Sequence, residues 1–372
     1  MRLRSFAFAR NQFRFANMQM HISRLTFDVS RSYSLLTKVL SSQKNHLLYQ
    51  ALKVFVRTGM FIYCRKIIVN KPEMLRMKGP LLIACNHPNS FLDGIILDIL
   101  FERPTWALAR GDVFKNSFYR RMLSSLKLLP IYRSSEGVEN VPANYKTFEA
   151  CTGIFKKGGI VQIFSEGKCI NEWHLRPLKK GTARLAISNW EKNIGLKIVP
   201  VGINYSSYRR FGKNVFINFG EVMMRDENLI NNTDGKRFQE FNERLERQFR
   251  KIVYEIDKTD RKKQEELLTV KPCIFQKIIF AIPAFVGFVA HAPLYILVQR
   301  FTWKRCNHND HFDSVMAVIL LFAYPVYLLL IMGLGYFLLG SLMMLLVLIV
   351  LPFTAWCYTL LKEQLDRPEY IQ

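Results

Sequence analysis

A stretch of 48 residues without a single Asp, Glu, Lys or Arg, Ser314–Leu361, limits what this 372-residue chain can fold into. As one helix it would be about 72 Å long, at about 1.5 Å per residue. That length is more than twice the roughly 30 Å of a bilayer core. We therefore expect two membrane spans, with a turn around Met332–Tyr336 where glycines cluster. A helix pair buried in a soluble core is the less favoured alternative.

An earlier uncharged stretch, Ile278–Val298, is long enough to cross a membrane but contains Pro283 and Pro293. Proline interrupts the helical hydrogen-bond ladder, so this stretch either spans the membrane or is re-entrant or interfacial. The positive-inside rule favours a re-entrant or interfacial position, because such a position leaves all the flanking basic residues on one side of the membrane. We then expect the basic body, the loop Phe301–Asp313 and the C-terminus from Lys362 to face the cytoplasm. The flanking basic residues are Arg300, Lys304, Arg305, Lys362 and Arg367.

The positive charge is concentrated in the first part of the chain. The net charge is +24, yet residues 271–372 hold seven basic and five acidic side chains, so residues 1–270 carry nearly all of it. Such a body suits an anionic partner, such as lipid head groups, phosphorylated metabolites or nucleic acid. Nucleic acid is not expected, because the aromatic residues lie in apolar runs and no binding module is present. Seven scattered cysteines indicate a reducing compartment rather than a disulfide framework.

The composition predicts five segments. Residues 1–46 form a basic leader that we expect to be disordered, although its composition also suits a transit peptide or an over-extended start. Residues 47–72 predict an amphipathic membrane-proximal helix, with packing in a core as the alternative. An α/β domain follows over 73–225, and an amphipathic helix within 226–270 connects it to a membrane-embedded region over 271–372.

Short apolar runs alternate with helical patterns in the central segment, which predicts an α/β domain built on a mixed β-sheet flanked by helices. The predicted strands are Leu81–Cys85, Trp106–Ala109, Leu128–Tyr132, Ile160–Phe164, Leu196–Gly202 and Val215–Phe219. The predicted helices lie near Leu92–Phe101, Tyr119–Leu126, Asn144–Lys156 and Thr182–Asn189, and the connector helix covers Lys236–Asp257.

The densest polar cluster, Asn86–Asp93, follows the first predicted strand. The carboxyl end of a strand before a helix is where α/β folds place ligands. His87 and Asp93 would point about 120° apart on a continuous helix, so they meet only if Pro88, Asn89 and Ser90 supply a turn and a helix cap. Asp93 would then fix the tautomer of His87 and leave its other ring nitrogen free as a base.

Four more polar blocks lie where predicted strands or helices end or begin. They are Leu129-Pro130-Ile131-Tyr132-Arg133, Phe164-Ser165-Glu166-Gly167 with the later Lys179–Ala186, and Val199-Pro200-Val201-Gly202. Together with the His87 cluster they resemble the glycerolipid acyltransferase family, whose members share an NH-x4-D motif, an Arg-containing block, an F-P-E-G block and a V-P block. The resemblance covers residues 75–220.

The resemblance implies a role for six residues. His87 would be the general base and Asp93 its orienting carboxylate, and the glycerol-phosphate site would include Arg133, Glu166, Gly167 and Lys180. Two features depart from the family pattern. The His-to-Asp gap is x5, which we associate with one branch of glycerol-3-phosphate and dihydroxyacetone-phosphate acyltransferases, and Ser165 replaces the proline of F-P-E-G.

The implied reaction is acyl transfer from acyl-CoA or acyl-carrier protein to glycerol 3-phosphate or dihydroxyacetone phosphate, toward phosphatidic acid, at a membrane. Acylation of 1-acylglycerol 3-phosphate is the nearest alternative, and a non-catalytic protein that binds anionic lipids is the remote one. No cofactor is expected beyond the acyl donor, and no metal. His308 and His311, with Asp310 and Asp313, invite a metal interpretation, but a solvated loop between apolar segments is the favoured interpretation.

Overall fold

A seven-stranded sheet with helices on both faces is followed by long apolar helices in the computed structural model. The model describes residues 47–132, 141–230 and 233–367, so the predicted leader and Arg133 lie outside the described residues. The strands are β1 (Cys64–Val69), β2 (Leu81–Cys85), β3 (Thr105–Arg110), β4 (Leu128–Ile131), β5 (Ile160–Phe164), β6 (Lys197–Tyr205) and β7 (Lys213–Phe219).

The helices alternate with the strands and then continue alone toward the C-terminus. They are α1 (residues 47–63), α2 (Ser90–Leu100), α3 (Ser117–Ser125), α4 (Val141–Lys156), α5 (Lys180–Glu191), α6 (Glu227–Ile230), α7 (Asp234–Ile252), α8 (Arg261–Leu268), α9 (Ile274–Cys306), α10 (Phe312–Leu339) and α11 (Val347–Leu361). Short 3₁₀ helices cover Pro72–Arg76, Gly111–Phe114 and Leu342–Leu346.

The strand order is β1-β7-β6-β2-β5-β3-β4. All neighbouring strands are parallel except β6 and β7, which pair antiparallel. The carboxyl ends of β2 to β6 therefore share one edge of the sheet, and the first residues of β7 and β1 lie at that same edge. The predicted α/β class with a mixed sheet is confirmed, and this edge is where the polar motif blocks come together.

The sheet is buried on both faces. All five residues of β2 are buried, as a continuous apolar run in a central parallel strand predicts. On one face, side chains of β2, β6 and β7 pack with Leu92, Ile96 and Leu97 of α2. On the other face, the alternate residues of β2, β5 and β6 pack with α4, α5 and the apolar stripe of α7. Two apolar layers therefore fix the sheet edge on which the motif blocks lie.

The helix that we expect over 47–72 ends at residue 63, because Cys64–Val69 becomes an edge strand parallel to β7. The apolar run Ile67–Val69 packs against the core of the sheet domain, and the guanidinium of Arg65 donates to the carbonyl oxygen of Lys362 at 3.2 Å. The last turns of α1 contact apolar helices instead of solvent. The rings of Phe61 and Trp356 stack at 6.3 Å between centroids.

The stretch that we expect to be interrupted by prolines is one continuous 33-residue helix, α9, with Pro283 and Pro293 inside it. Prolines are tolerated in apolar helices where neighbouring helices compensate for the lost hydrogen bond. Here α9 crosses α11 so closely that a Cβ at Gly287 would clash with the carbonyl oxygen of Thr354. Between the two prolines, α9 therefore packs directly on α11.

The hairpin expected within Ser314–Leu361 is present, but its turn lies later than Met332–Tyr336. Helix α10 continues to Leu339 and ends at Gly340, which has a left-handed φ of 60° and donates its N–H to the carbonyl of Tyr336. Three helices are long and apolar enough to cross a membrane, namely Ile274–Cys306, Phe312–Leu339 and Leu342–Leu361. The predicted C-terminal region of transmembrane helices is thus confirmed as a region of candidate spans.

The residues on either side of α9 are hydrogen-bonded to the sheet domain or to the segment after α11. Before α9, the N–H of Val270 donates to Gln364 Oε1 at 2.7 Å, and Asn214 of β7 donates to the same oxygen at 2.5 Å. After α9, the N–H of Asn171 donates to Asp310 Oδ1 at 2.9 Å. Both ends of α9 therefore contact the sheet domain.

We expect single cysteines at positions 307 and 363 to show the same accessibility in a background lacking the native cysteines. Both positions lie in segments that contact the sheet domain, and we expect that domain to face the cytoplasm. An impermeant thiol reagent should therefore label neither position in intact cells and both after permeabilisation. Labelling of position 307 alone from outside would contradict this arrangement, because it would require α9 to cross the membrane.

Candidate active site

The loop after β2 is anchored to the centre of the sheet by Asn86. Its side chain is buried, donates to the carbonyl of Ile203 at 3.0 Å and accepts the N–H of the same residue at 2.7 Å. These two bonds join the end of β2 to its neighbour β6, so the next residue, His87, leaves the sheet at a fixed position.

His87 and Asp93 meet as predicted. The distance from His87 Nδ1 to Asp93 Oδ2 is 2.8 Å. An ionised carboxylate only accepts hydrogen bonds, so Nδ1 carries the proton and Nε2 is left with a lone pair. The imidazole stacks on Phe164 at 4.0 Å between ring centroids and is 17% exposed, whereas the Asp93 side chain is fully buried. A substrate can therefore reach the His87 ring but not the carboxylate.

The buried Asp93 carboxylate accepts two more hydrogen bonds. Asn89 donates its N–H to Oδ2 at 2.9 Å, and the hydroxyl of Tyr205 donates to Oδ1 at 2.8 Å. Burial and the neighbouring Asp93 raise the pKa of Tyr205 well above its ordinary value, so this phenol stays protonated and remains a donor. Three donors from two parts of the chain thus hold the carboxylate in place.

The turn between His87 and Asp93 differs from the predicted helix cap. Asn89 precedes α2 but makes no side-chain capping bond, and its amide nitrogen donates to Asp313 Oδ2 at 2.6 Å. Ser90 has a left-handed φ of 51°, a conformation that non-glycine residues seldom adopt. With this left-handed residue in the turn, the imidazole reaches the carboxylate across the x5 spacing.

Glu166, at the end of β5, is buried with both carboxylate oxygens engaged. Oε2 accepts the N–H of His87 at 2.9 Å and the guanidinium of Arg176 at 2.8 Å, and Oε1 accepts the N–H of Arg176 at 3.0 Å. These bonds clamp the two loops that follow β2 and β5. Glu166 therefore lies beside His87, but its contacts are internal.

The remaining predicted residues surround the β5 end. Gly167 has a φ of 69°, which a side chain would strain. Ser165, the residue that replaces the family proline, is buried and accepts a hydrogen bond from the Thr182 hydroxyl at 3.0 Å. This bond ties the first turn of α5 to the site, and Lys180 is exposed in that same turn.

Sequence reasoning missed several groups that touch the site. Tyr205 and Arg176 follow or lie within recognised blocks, so their proximity to those blocks was the available signal. The loop Phe301–Asp313 is not the solvated loop that we expect from its composition, because Asp313 is completely buried and His311 Nδ1 lies 2.6 Å from Ser90 Oγ. A histidine and a carboxylate from this loop thus contact the turn that carries His87.

We expect Glu166→Gln to lower the free energy of unfolding by about 2 kcal/mol, since it breaks one side of a buried ion pair while Glu172 remains near Arg176. Thermal unfolding of the full-length protein in detergent would measure this change. Glu255→Gln is the matched control, because the pair of Glu255 with His174 is exposed and such pairs contribute about 0–1 kcal/mol. Equal effects of the two substitutions would contradict the clamp.

The chain is similar to a known protein family and to a solved structure. Residues 66–204 match the family model described as Acyltransferase, which is less than half of the chain. No curated protein matches the chain. Among solved structures, the crystal structure of PlsC, the 1-acyl-sn-glycerophosphate (LPA) acyltransferase from Thermotoga maritima, is similar, with a TM-score of 0.41 and 15% identity over 56% of this chain and 80% of that one. Residues 66–204 are thus similar to an acyltransferase domain, in agreement with the resemblance that the motif blocks carry.

Proposed function

We propose that this membrane-associated chain transfers a fatty acyl group from acyl-CoA or acyl-carrier protein to a hydroxyl of glycerol 3-phosphate or dihydroxyacetone phosphate. The observation that supports the proposal best is the hydrogen bond between His87 Nδ1 and the buried Asp93. It leaves a basic Nε2 on a partly exposed ring, at the sheet edge where the family's motif blocks converge.

In the proposed reaction, His87 Nε2 accepts the proton of the acceptor hydroxyl while the oxygen attacks the thioester carbonyl. The new C–O bond forms, the C–S bond breaks, and the imidazolium returns the proton to the departing thiolate. The products are the ester and the free thiol. A thioester is already activated, so no covalent nucleophile is needed. Asp93 stabilises the transient positive charge on His87 and keeps its ring oriented.

Basic residues near the same edge would bind the anionic acceptor. We propose that Lys180, exposed at the start of α5, and Arg133, two residues after the end of β4, contact the phosphate. Gly167 would allow backbone to approach the acceptor closely. For Glu166 we propose a positioning role rather than direct contact, since internal donors occupy both of its oxygens.

The apolar helices would bring the site close to the membrane that holds the fatty acyl chain. A fatty acyl chain is most soluble in the bilayer, and α10 begins beside the loop that carries His87. We propose that α10 and α11 insert in the membrane while the sheet domain stays on its cytoplasmic face. The acyl donor and the phosphorylated acceptor would then meet at the membrane surface.

We expect His87→Ala to abolish acyl transfer by the purified full-length protein while folding and membrane insertion persist. Asp93→Asn should lower turnover by about 10²–10⁴-fold, on the scale of lost general-base assistance. His174→Ala is the matched control, because His174 is half-exposed and pairs with Glu255 away from this loop. Substantial turnover by a well-folded His87→Ala protein would contradict the mechanism.

Competition between acceptors would identify the substrate. We expect glycerol 3-phosphate or dihydroxyacetone phosphate to be acylated preferentially when each is offered together with 1-acylglycerol 3-phosphate. Preference for the lysophospholipid would instead assign the second acylation step. Anionic-lipid binding that survives His87→Ala, without turnover by the parent protein on any of these acceptors, would indicate the non-catalytic alternative.

A further inference from the structure

The first turn of α10 contacts the loop that carries the His87–Asp93 pair. The Asn89 side chain in that loop donates to Asp313 Oδ2 at 2.6 Å. The hydroxyl of Ser314 donates to the carbonyl oxygen of Asn89 at 2.9 Å. A helix that continues into the apolar hairpin therefore holds both the side chain and the backbone of the residue midway between the imidazole and its carboxylate.

Two further hydrogen bonds hold the residues after Asn89. Ser90 Oγ lies 2.6 Å from His311 Nδ1, and the N–H of Leu92 donates to the Ser314 hydroxyl at 3.2 Å. Ser90 has a left-handed φ of 51°. Such a backbone conformation persists only where its surroundings enforce it. The side chains of His311 and Ser314 provide that enforcement on either side of Ser90.

A buried ion pair fixes the position of Asp313. Lys213, the first residue of β7, pairs with Asp313, and both side chains are completely buried. The hydroxyl of Tyr63 donates to Asp313 Oδ1 at 2.5 Å. The Lys213 ammonium also lies over the rings of Tyr63 and Tyr205 at 5.6 and 6.0 Å. Breaking a buried ion pair leaves an uncompensated charge, so Asp313 has little freedom to move relative to the sheet.

Asn89 links the first turn of α10 to Asp93, the carboxylate that orients the His87 imidazole. The N–H of Asn89 donates to Asp93 Oδ2 at 2.9 Å, and that same oxygen lies 2.8 Å from His87 Nδ1. Displacement of Asn89 would therefore remove a donor from Asp93 and loosen the orientation of His87.

We propose that His311, Asp313 and Ser314 are positioning residues for acyl transfer, which rests on the proposed role of His87 as the base. They hold the extended His87-to-Asp93 loop in its active shape from the base of the membrane hairpin. Docking of α10 does not itself require the His311 and Ser314 side chains, because Phe312, Met316 and Ala317 bury its first turns in apolar contacts. The polar contacts serve the loop.

Kinetics of the full-length protein in detergent or vesicles would test this inference on Ser314→Ala, Ser314→Thr and His311→Ala. We expect Ser314→Ala to lower kcat about tenfold, with the KM of donor and acceptor within about twofold, because the lost bonds orient the base rather than bind substrate. Ser314→Thr keeps the hydroxyl and should restore kcat. Thr354→Val is the matched control, since the Thr354 hydroxyl bonds only to its own helix at Leu351.

His311→Ala provides a second variant, because His311 is partly exposed and its loss should be tolerated by the fold. We expect a kcat loss of about fivefold without a change in thermal midpoint. Wild-type kcat in both Ser314→Ala and His311→Ala, alongside an inactive His87→Ala, would overturn the positioning role while leaving the proposed function intact. A loss in Ser314→Ala that Ser314→Thr does not rescue would also overturn it. Activity retained by His87→Ala would overturn the proposed function itself.

Discussion

The buried carboxylate of Asp93 is the constraint on which the arrangement of this protein depends. An ionised side chain without solvent contact must be satisfied by nearby donors, and here the donors come from the imidazole of His87, the backbone of Asn89 and the phenol of Tyr205. The parallel pairing of β2 with β6 brings Tyr205 to the same sheet edge as the His87 loop. The fold therefore both buries the carboxylate and supplies its partners, which leaves the imidazole as the exposed, reactive member of the pair.

Much of the sheet and part of the site could be predicted from local sequence. The bounds of β2 and β5 were predicted correctly, because each is a short apolar run that ends at a polar block. β1 was missed, because Arg65 and Lys66 interrupt its apolar pattern and its pairing with β7 is a long-range contact. The meeting of His87 with Asp93 was predictable because both lie in one loop. The pairing of Lys213 with Asp313 was not, since 100 residues separate them and only the antiparallel β7 places Lys213 at that edge.

In the apolar region, too, local sequence predicted the helices, whereas long-range packing decided their details. Hydropathy alone predicted the hairpin, yet the turn lies at Gly340, which takes the left-handed conformation that ends α10. The prolines of α9 predicted a break, whereas α9 is continuous and packs on α11 at Gly287. Composition also suggested a solvated loop before α10, where the structure has a buried carboxylate bonded to the turn beside His87. The apolar helices are therefore joined to the sheet domain by both polar and apolar contacts.

Direct transfer from thioester to acceptor, with His87 as base, is the central claim, and the fate of the acyl group tests it most directly. The pair of Ser90 and His311 is the obvious alternative nucleophile in the described site, with 2.6 Å between Ser90 Oγ and Nδ1. A rapid-quench experiment with acyl-labelled thioester and excess full-length protein would follow the label. The account predicts that thiol release requires the acceptor and that the label passes to it without residing on the protein. Label bound covalently to Ser90, or to any other side chain, before acceptor is added would contradict it.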